Sequence, residues 1–225
     1  MSPVDATPAR TRPQRMGDLA TLPVFFDLKT KRVVMSGGSD GAAWKAELLA
    51  ASGATVELYC PADAIGEEMR TVLALAFPDG AIRHHDRPWA TDVFATAALA
   101  VADCESEGEA QAFFCAARAA GVPVNVIDKP AYCQFRFGTI VNRSPVVVGI
   151  STDGAAPILG QAIRRRIETL LPATLTGWAR MAARVRTEVM ERLAPGPAAC
   201  RTRRPRATRA ASSGISPTAR KRAAA

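Results

Sequence analysis

The stretch from Lys31 to Tyr59, KRVVMSGGSDGAAWKAELLAASGATVELY, leaves the chain few choices of architecture. A short β-branched run, Arg32 to Met35, halts at Ser36-Gly37-Gly38. A small-residue helix begins at about Gly41, Ser52-Gly53 ends it, and Thr55 to Tyr59 form a second strand. This is a βαβ unit of about 30 residues with glycines at its first strand-to-helix turn. Glycines there let backbone approach a pyrophosphate, whose charge the free N–H groups and dipole at the helix start favour. The implied ligand is a dinucleotide. The spacing G-x-G-x-x-G/A reads Gly37-Gly38-Ser39-Asp40-Gly41-Ala42, so the middle glycine is Ser39. Serine is accepted there only with a negative φ, and its side chain crowds the phosphate side.

Strands and helices continue to alternate. Cys60-Pro61-Ala62 is the exit loop of the second strand, the position beside an adenosine ribose in a doubly wound sheet. A helix from Ala64 to about Phe77, a turn at Pro78-Asp79-Gly80 and a short strand Ala81 to His84 follow. Leu99 to Ala102 is a buried strand, Glu105 to Ala120 an alanine-rich helix closed by Gly121, and Val122 to Ile127 a strand ended by Asp128-Lys129-Pro130. Such alternation predicts an α/β fold, a parallel sheet with helices on both faces, and a Rossmann-like domain over 21–136.

Beyond that the pattern changes. Thr139 to Asn142 and Pro145 to Ser151 predict an antiparallel addition around the turn Arg143-Ser144. Pro157 opens a helix to Leu171 with Leu159, Ile163, Ile167 and Leu170 on one face. A second amphipathic helix, Leu175 to Leu193, carries Trp178, Ala182, Val185 and Val189. The expected division is a small β and helix region at 137–167 and a helical C-terminal part at 168–193. Two helices and a hairpin cannot bury these faces alone, so they must pack on the first domain or on a second subunit.

Residues 1–20 are polar, proline-bearing and aperiodic, which predicts a flexible arm, and 194–225 predict a disordered basic tail. The tail matters for reading the net charge of +8. Eight Lys and Arg lie beyond Ala194 with no acids, leaving 21 of the 29 basic residues against 21 acidic ones. The folded body is neutral, and nucleic acid is not the expected partner. No apolar run approaches the roughly 18 residues of a membrane span, and no secretory h-region is present. Five cysteines at irregular spacings read as reduced, mostly buried thiols of a cytoplasmic protein. His84-His85, the only histidines, point to opposite faces of a strand, so no permanent metal site is expected.

Gly37, Gly38, Ser39, Asp40 and Gly41 are the expected phosphate-lining residues, with Pro61 and Ala62 on the adenosine side. Asp103, after the fourth strand, is either a cofactor contact or the N-cap of the following helix. Asp128 stands at the carboxyl end of a central strand, where open α/β sheets place ligands; it is either a catalytic acid or base or a turn cap before Lys129-Pro130.

Four segments together are more specific: LPVFFDLKTKRVVMSGG, AAWKAELL with Lys45, NVIDKP at Asn125 to Pro130, and IVNRSPVVVGISTDGAAPILGQAIRRRIETLLP. In order and spacing these resemble the precorrin-2 dehydrogenase/sirohydrochlorin ferrochelatase family, the N-terminal module of sirohaem synthase, over Leu22 to Leu193. The resemblance implies NAD as cofactor, oxidation of precorrin-2 to sirohydrochlorin, and a possible second step inserting Fe²⁺ as a substrate. It also implies a homodimer built through the later β region, with uroporphyrinogen methylation left to a separate upstream methyltransferase. Asp128 matches the family's catalytic aspartate. Ala102-Asp103 departs from the family's Thr-Asp-Asp-like run. A carboxylate-rich tetrapyrrole needs fixed positive charge and hydroxyls, for which Arg136, Arg143, Ser151 and Thr152 are candidates. Alternatives of other kinds are a chelatase without oxidation and a non-catalytic NAD-binding sensor.

Overall fold

The structure, a computed structural model, describes residues 17–154 and 156–193. The basic tail and most of the N-terminal arm lie outside the described residues. Strands β1 (Arg32–Ser36), β2 (Thr55–Tyr59), β3 (Ala81–His85), β4 (Ala97–Ala102) and β5 (Val124–Val126) form one all-parallel sheet in the order β3-β2-β1-β4-β5. Helices α1 (Asp40–Ala51), α2 (Glu67–Leu73) and α3 (Glu107–Ala119) cover it. The strand order reverses direction between β1 and β4, and the carboxyl ends of those two strands frame the crevice where such sheets bind ligands.

Strand β1 is central and apolar without alternation, because both of its faces are covered. Val33 and Met35 join Ala42, Ala46 and Leu49 of α1 and Met69 of α2 in one buried layer. Val34 faces the other layer, with Phe94, Phe113 and Val124. There Phe94 and Phe113 meet edge to face at 5.1 Å, and Trp89 closes on both. Alanines at positions 42, 43, 46 and 50 bring α1 close to the strands, which sets the glycine turn against the tip of β4.

One expected helix is much shorter than its sequence suggests. In place of Ala64 to Phe77 there is a 3-10 turn, Ala62–Ala64, and then α2 from Glu67. Ile65 is extended and buried, and Gly66 donates from its N–H to the carbonyl of Gly38 at 2.8 Å, so the helix starts only after that tether. At the other end it closes at Ala74, ahead of Pro78. Helix α3 begins two residues later than expected, with Ser106 as N-cap. Asp103 is therefore not the cap.

The histidines lie on the edge strand β3 and are committed to packing. His84 Nε2 lies 2.8 Å from the Cys60 carbonyl. His85 Nε2 lies 2.6 Å from Glu57 Oε2, and its ring stacks on Tyr59 at 4.5 Å. Glu57 is only 6% exposed and also receives Arg83, so it braces β2 against β3.

After β5 come the antiparallel pair β6 (Thr139–Arg143) and β7 (Val146–Ile150) and helix α4 (Pro157–Leu170). The apolar side of α4 is only partly covered: Ile163 and Ile167 are half-buried, while Leu159 and Leu170 are exposed, as is Ile158 beside them. A first compact unit ends at Ala173 and a second begins at Thr174 with α5 (Leu175–Leu193), whose Trp178 and Val185 are exposed.

Candidate active site

Residues at the tips of β1, β4 and β5 supply the site. Gly37 has φ +89, and a Cβ there would lie 2.5 Å from the Asp103 carbonyl oxygen. A Cβ on Gly38 would meet Cys60 Sγ at 2.9 Å. Both positions thus demand glycine. Ser39 keeps a negative φ of −67, which is the condition under which serine is accepted at this turn. Its hydroxyl oxygen accepts from the Ala42 amide at 3.2 Å as the N-cap of α1, and its hydroxyl donates to the Asp103 carboxylate. The amides of Asp40 and Gly41 in the first helical turn have no acceptor among the described residues, and the macrodipole favours an anion there. This closely packed turn with free amides suits a pyrophosphate.

Among the expected phosphate ligands Asp40 is employed differently. Its Oδ1 accepts from the Glu68 amide at 3.1 Å, so its carboxylate caps α2. Pro61 and Ala62 are exposed at the tip of β2, and the Ala62 amide donates to Asp86 Oδ1 at 2.7 Å. Asp103 is drawn to Ser39 and stands at the switch point itself.

Ser39→Ala removes both the cap and the clamp on Asp103. A lost cap costs about 1 kcal/mol, so Tm should fall by about 2–4 °C in a chain of this size, read by differential scanning calorimetry.

Asp128 lies one strand further along the same edge, exposed, with φ +57. The loop carrying it is tightly tied. Lys129 N–H bonds to the Val126 carbonyl at 3.2 Å, and Gln134 N–H returns to the Val124 carbonyl at 2.8 Å. Cys133 Sγ contacts the carbonyls of Val126 and Lys129, and Asn125 Nδ2 donates to Cys133 Sγ and to the Phe135 carbonyl. Lys129 Nζ reaches Glu107 Oε2 of α3 at 3.3 Å. Asp128 is therefore presented on a rigid projection. Asn125 Oδ1 is buried with no partner among the described residues.

Lys45 completes the cluster. It belongs to α1, is half-buried, and feels the carboxylates of both Asp128 and Asp103. Burial pushes its ammonium below the usual lysine range, while those carboxylates and Cys133 oppose that shift. Sequence reasoning noted Lys45 only as part of a resemblance. Its distance from the glycine turn along α1 was the available signal, since Lys45 follows Ser39 by less than two helical turns.

The four candidate substrate ligands do not converge as free groups. Arg136 pairs with Asp153. Arg143 Nε donates to the Leu171 carbonyl at 2.8 Å, tying β6 to the end of α4. Ser151 Oγ accepts from the Asp153 amide at 3.2 Å within a turn. Thr152 is half-buried, and its Cγ2 would lie 3.7 Å from a Cβ on Gly160 of α4.

The thiols divide sharply. Cys60 and Cys104 are buried, Cys133 half-buried and Cys115 exposed, while Cys200 lies outside the described residues. Burial, reinforced by Glu109 and Asp103, pushes Cys104 up to about 12. At pH 8 only about one Cys104 in ten thousand would be thiolate. Iodoacetamide at that pH should modify Cys115 well before Cys104, which should stay intact, as peptide mass mapping would show. Among the described residues no three His, Cys, Asp or Glu side chains are grouped as around a metal ion. No helix among them is long and apolar enough to cross a membrane.

Comparisons with known proteins bear on this edge of the sheet. The siroheme synthase of Thiobacillus denitrificans is 38% identical over 181 residues, covering 78% of this chain and 35% of that protein. Those of Methylobacillus flagellatus and Nitrosomonas europaea are 35% and 37% identical, over 79% and 76% of this chain and 37% and 35% of theirs. The chain thus spans about a third of the length of these curated relatives. The solved structure of SirC, precorrin-2 dehydrogenase, matches with a TM-score of 0.62 at 19% identity, covering 79% of this chain and 84% of that one, a likeness of fold. A family model for NAD(P)-binding domains matches residues 24–139, from the lead-in to β1 through the loop bearing Asp128 to the start of β6. That stretch is just over half the sequence and contains the whole glycine cradle, so the chain belongs to this NAD(P)-binding family.

Proposed function

We propose that this protein oxidises precorrin-2 to sirohydrochlorin with NAD⁺, a step of sirohaem biosynthesis. The observation that carries the reading is the placement of Asp128 and the glycine cradle on one edge of one sheet, at and beside its switch point. The relatives' name, siroheme synthase, and the fold shared with a precorrin-2 dehydrogenase support the substrate class.

Bound NAD⁺ supplies a hydride acceptor. The residues of the chain do the rest. Gly37 to Gly41 hold the pyrophosphate against the α1 dipole. Asp128 receives the proton that leaves with the hydride, so the substrate loses two electrons and a proton pair in balance. Its exposure suits exchange of that proton with water. Fe²⁺ insertion into the product is a further proposed step, in which Asp128 would take pyrrole N–H protons as the metal, a substrate, enters. A homodimer fits the uncovered Ile158 and Leu170 of α4 and Val147 of β7, all exposed.

The test is an anaerobic assay with enzymatically generated precorrin-2 and NAD⁺. NADH should appear in step with the sirohydrochlorin spectrum. NAD⁺ binding without any turnover would overturn the enzyme reading in favour of a sensor.

A further inference from the structure

Most cations around the later β segment have a partner. Lys129 holds Glu107, Arg136 holds Asp153, Arg143 holds the Leu171 carbonyl, and Arg164 holds Glu168. Lys45 is different. Its ammonium makes no hydrogen bond or ion pair with any described residue, although it is half-buried. Its neighbours are two aromatic faces, with Nζ 4.8 Å from the centroid of Trp44 and 5.8 Å from that of Phe137. Those two rings meet edge to face at 6.0 Å. They form one wall of a groove of about 460 Å³ that also takes in Leu48, Thr139, Ile140 and Gln161.

A desolvated cation with unused donors is unfavourable unless an anion completes it, and aromatic faces compensate only in part. The carboxylates of Asp103 and Asp128 act on Lys45 without coming within ion-pair distance, so its donors stay open. The groove beside it sets the Trp44 and Phe137 rings, Leu48 and Ile140 among the polar Thr139, Gln161 and Arg164. Such a wall suits the rim of a planar macrocycle, and the ammonium suits an acid group hanging from that rim.

We propose that Lys45 binds a carboxylate of the acid-rich macrocyclic substrate at the Trp44 and Phe137 groove. The proposal deepens the dehydrogenase reading and rests on it. The lysine holds the substrate in ground and transition states alike, so its loss should appear in KM and spare kcat.

The experiment compares wild type, Lys45→Ala and Lys45→Arg in the anaerobic assay, with sirohydrochlorin titrated separately as a binding probe followed by absorbance. Lys45→Ala should raise KM for precorrin-2 and the Kd for sirohydrochlorin by about tenfold or more, the worth of a charge-assisted contact. KM for NAD⁺ and kcat should stay within about twofold, and Lys45→Arg should restore much of the affinity. An unchanged KM and Kd, or a loss confined to kcat, would overturn the anchor while wild-type turnover left the dehydrogenase reading standing. A wild-type protein that neither turns over precorrin-2 nor binds sirohydrochlorin would overturn both.

Discussion

Asp128→Asn should lower precorrin-2 turnover by about 10²- to 10⁴-fold, the usual contribution of a positioned general base, with NAD⁺ affinity kept within about twofold. Asparagine is the informative choice because of the backbone. Asp128 has φ +57, a left-handed conformation that Asp and Asn tolerate and other side chains adopt at a cost of about 1–2 kcal/mol. Asn keeps the loop and removes the charge. Ala removes the charge and strains a turn fastened by the Val126, Lys129 and Gln134 hydrogen bonds. The two variants should therefore match in activity and differ in Tm, Ala being lower. Stopped-flow absorbance under anaerobic conditions measures turnover, and isothermal titration measures NAD⁺. If Asp128→Asn retained more than about a tenth of wild-type turnover, a carboxylate at this position would not be the proton acceptor.

The second large effect is expected at Gly37. Gly37→Ala puts a methyl group 2.5 Å from the Asp103 carbonyl oxygen and 2.9 Å from Asp103 Cβ, at φ +89. Neither contact can relax by rotating a side-chain end, because the carbonyl belongs to the chain leaving β4 and Asp103 N–H is bonded to the Ser36 carbonyl at 2.9 Å. Left-handed strain and overpacking together should cost about 2–5 kcal/mol, a fall in Tm of about 5–15 °C. NAD⁺ binding should weaken by at least about tenfold as the cradle distorts. Gly41→Ala is the matched comparison. Its Cβ would meet only Ser39 Oγ, at 3.4 Å, with ordinary helical geometry. Thermal stability there should be unchanged or rise by up to about 1 kcal/mol, as glycine leaves a helix. Equal destabilisation by both substitutions, in calorimetry, would show that the switch-point contact is not what Gly37 preserves.

The order and type of the elements follow from local pattern. Apolar strands that alternate with small-residue helices and end in glycine turns dictate a parallel α/β sheet, and all five of its strands lie where the periodicity puts them. Errors fell where a tertiary tether overrode local preference. Helix α2 starts late because Gly66 is bonded to Gly38 and Asp40 reaches across to the Glu68 amide. The side-chain roles divide in the same way. Gly37 and Ser39 were readable because a motif states the backbone geometry its residues need. The bond of Arg143 to the Leu171 carbonyl was not readable, because that partner is 28 residues away and nothing in either segment announces it.

What the sequence determined by itself is the sheet, the glycine turn and the acid at the end of β5. Each depends on interactions within a few residues of chain. The tertiary structure alone decided which groups are free to act. Strand order brings the tips of β1, β4 and β5 side by side, so that Ser39 meets Asp103 while Lys45 enters the field of Asp128. Whether a charged side chain serves the fold or remains open to a ligand depends on what long-range packing sets within hydrogen-bond reach of it, and that is not encoded near it in the chain.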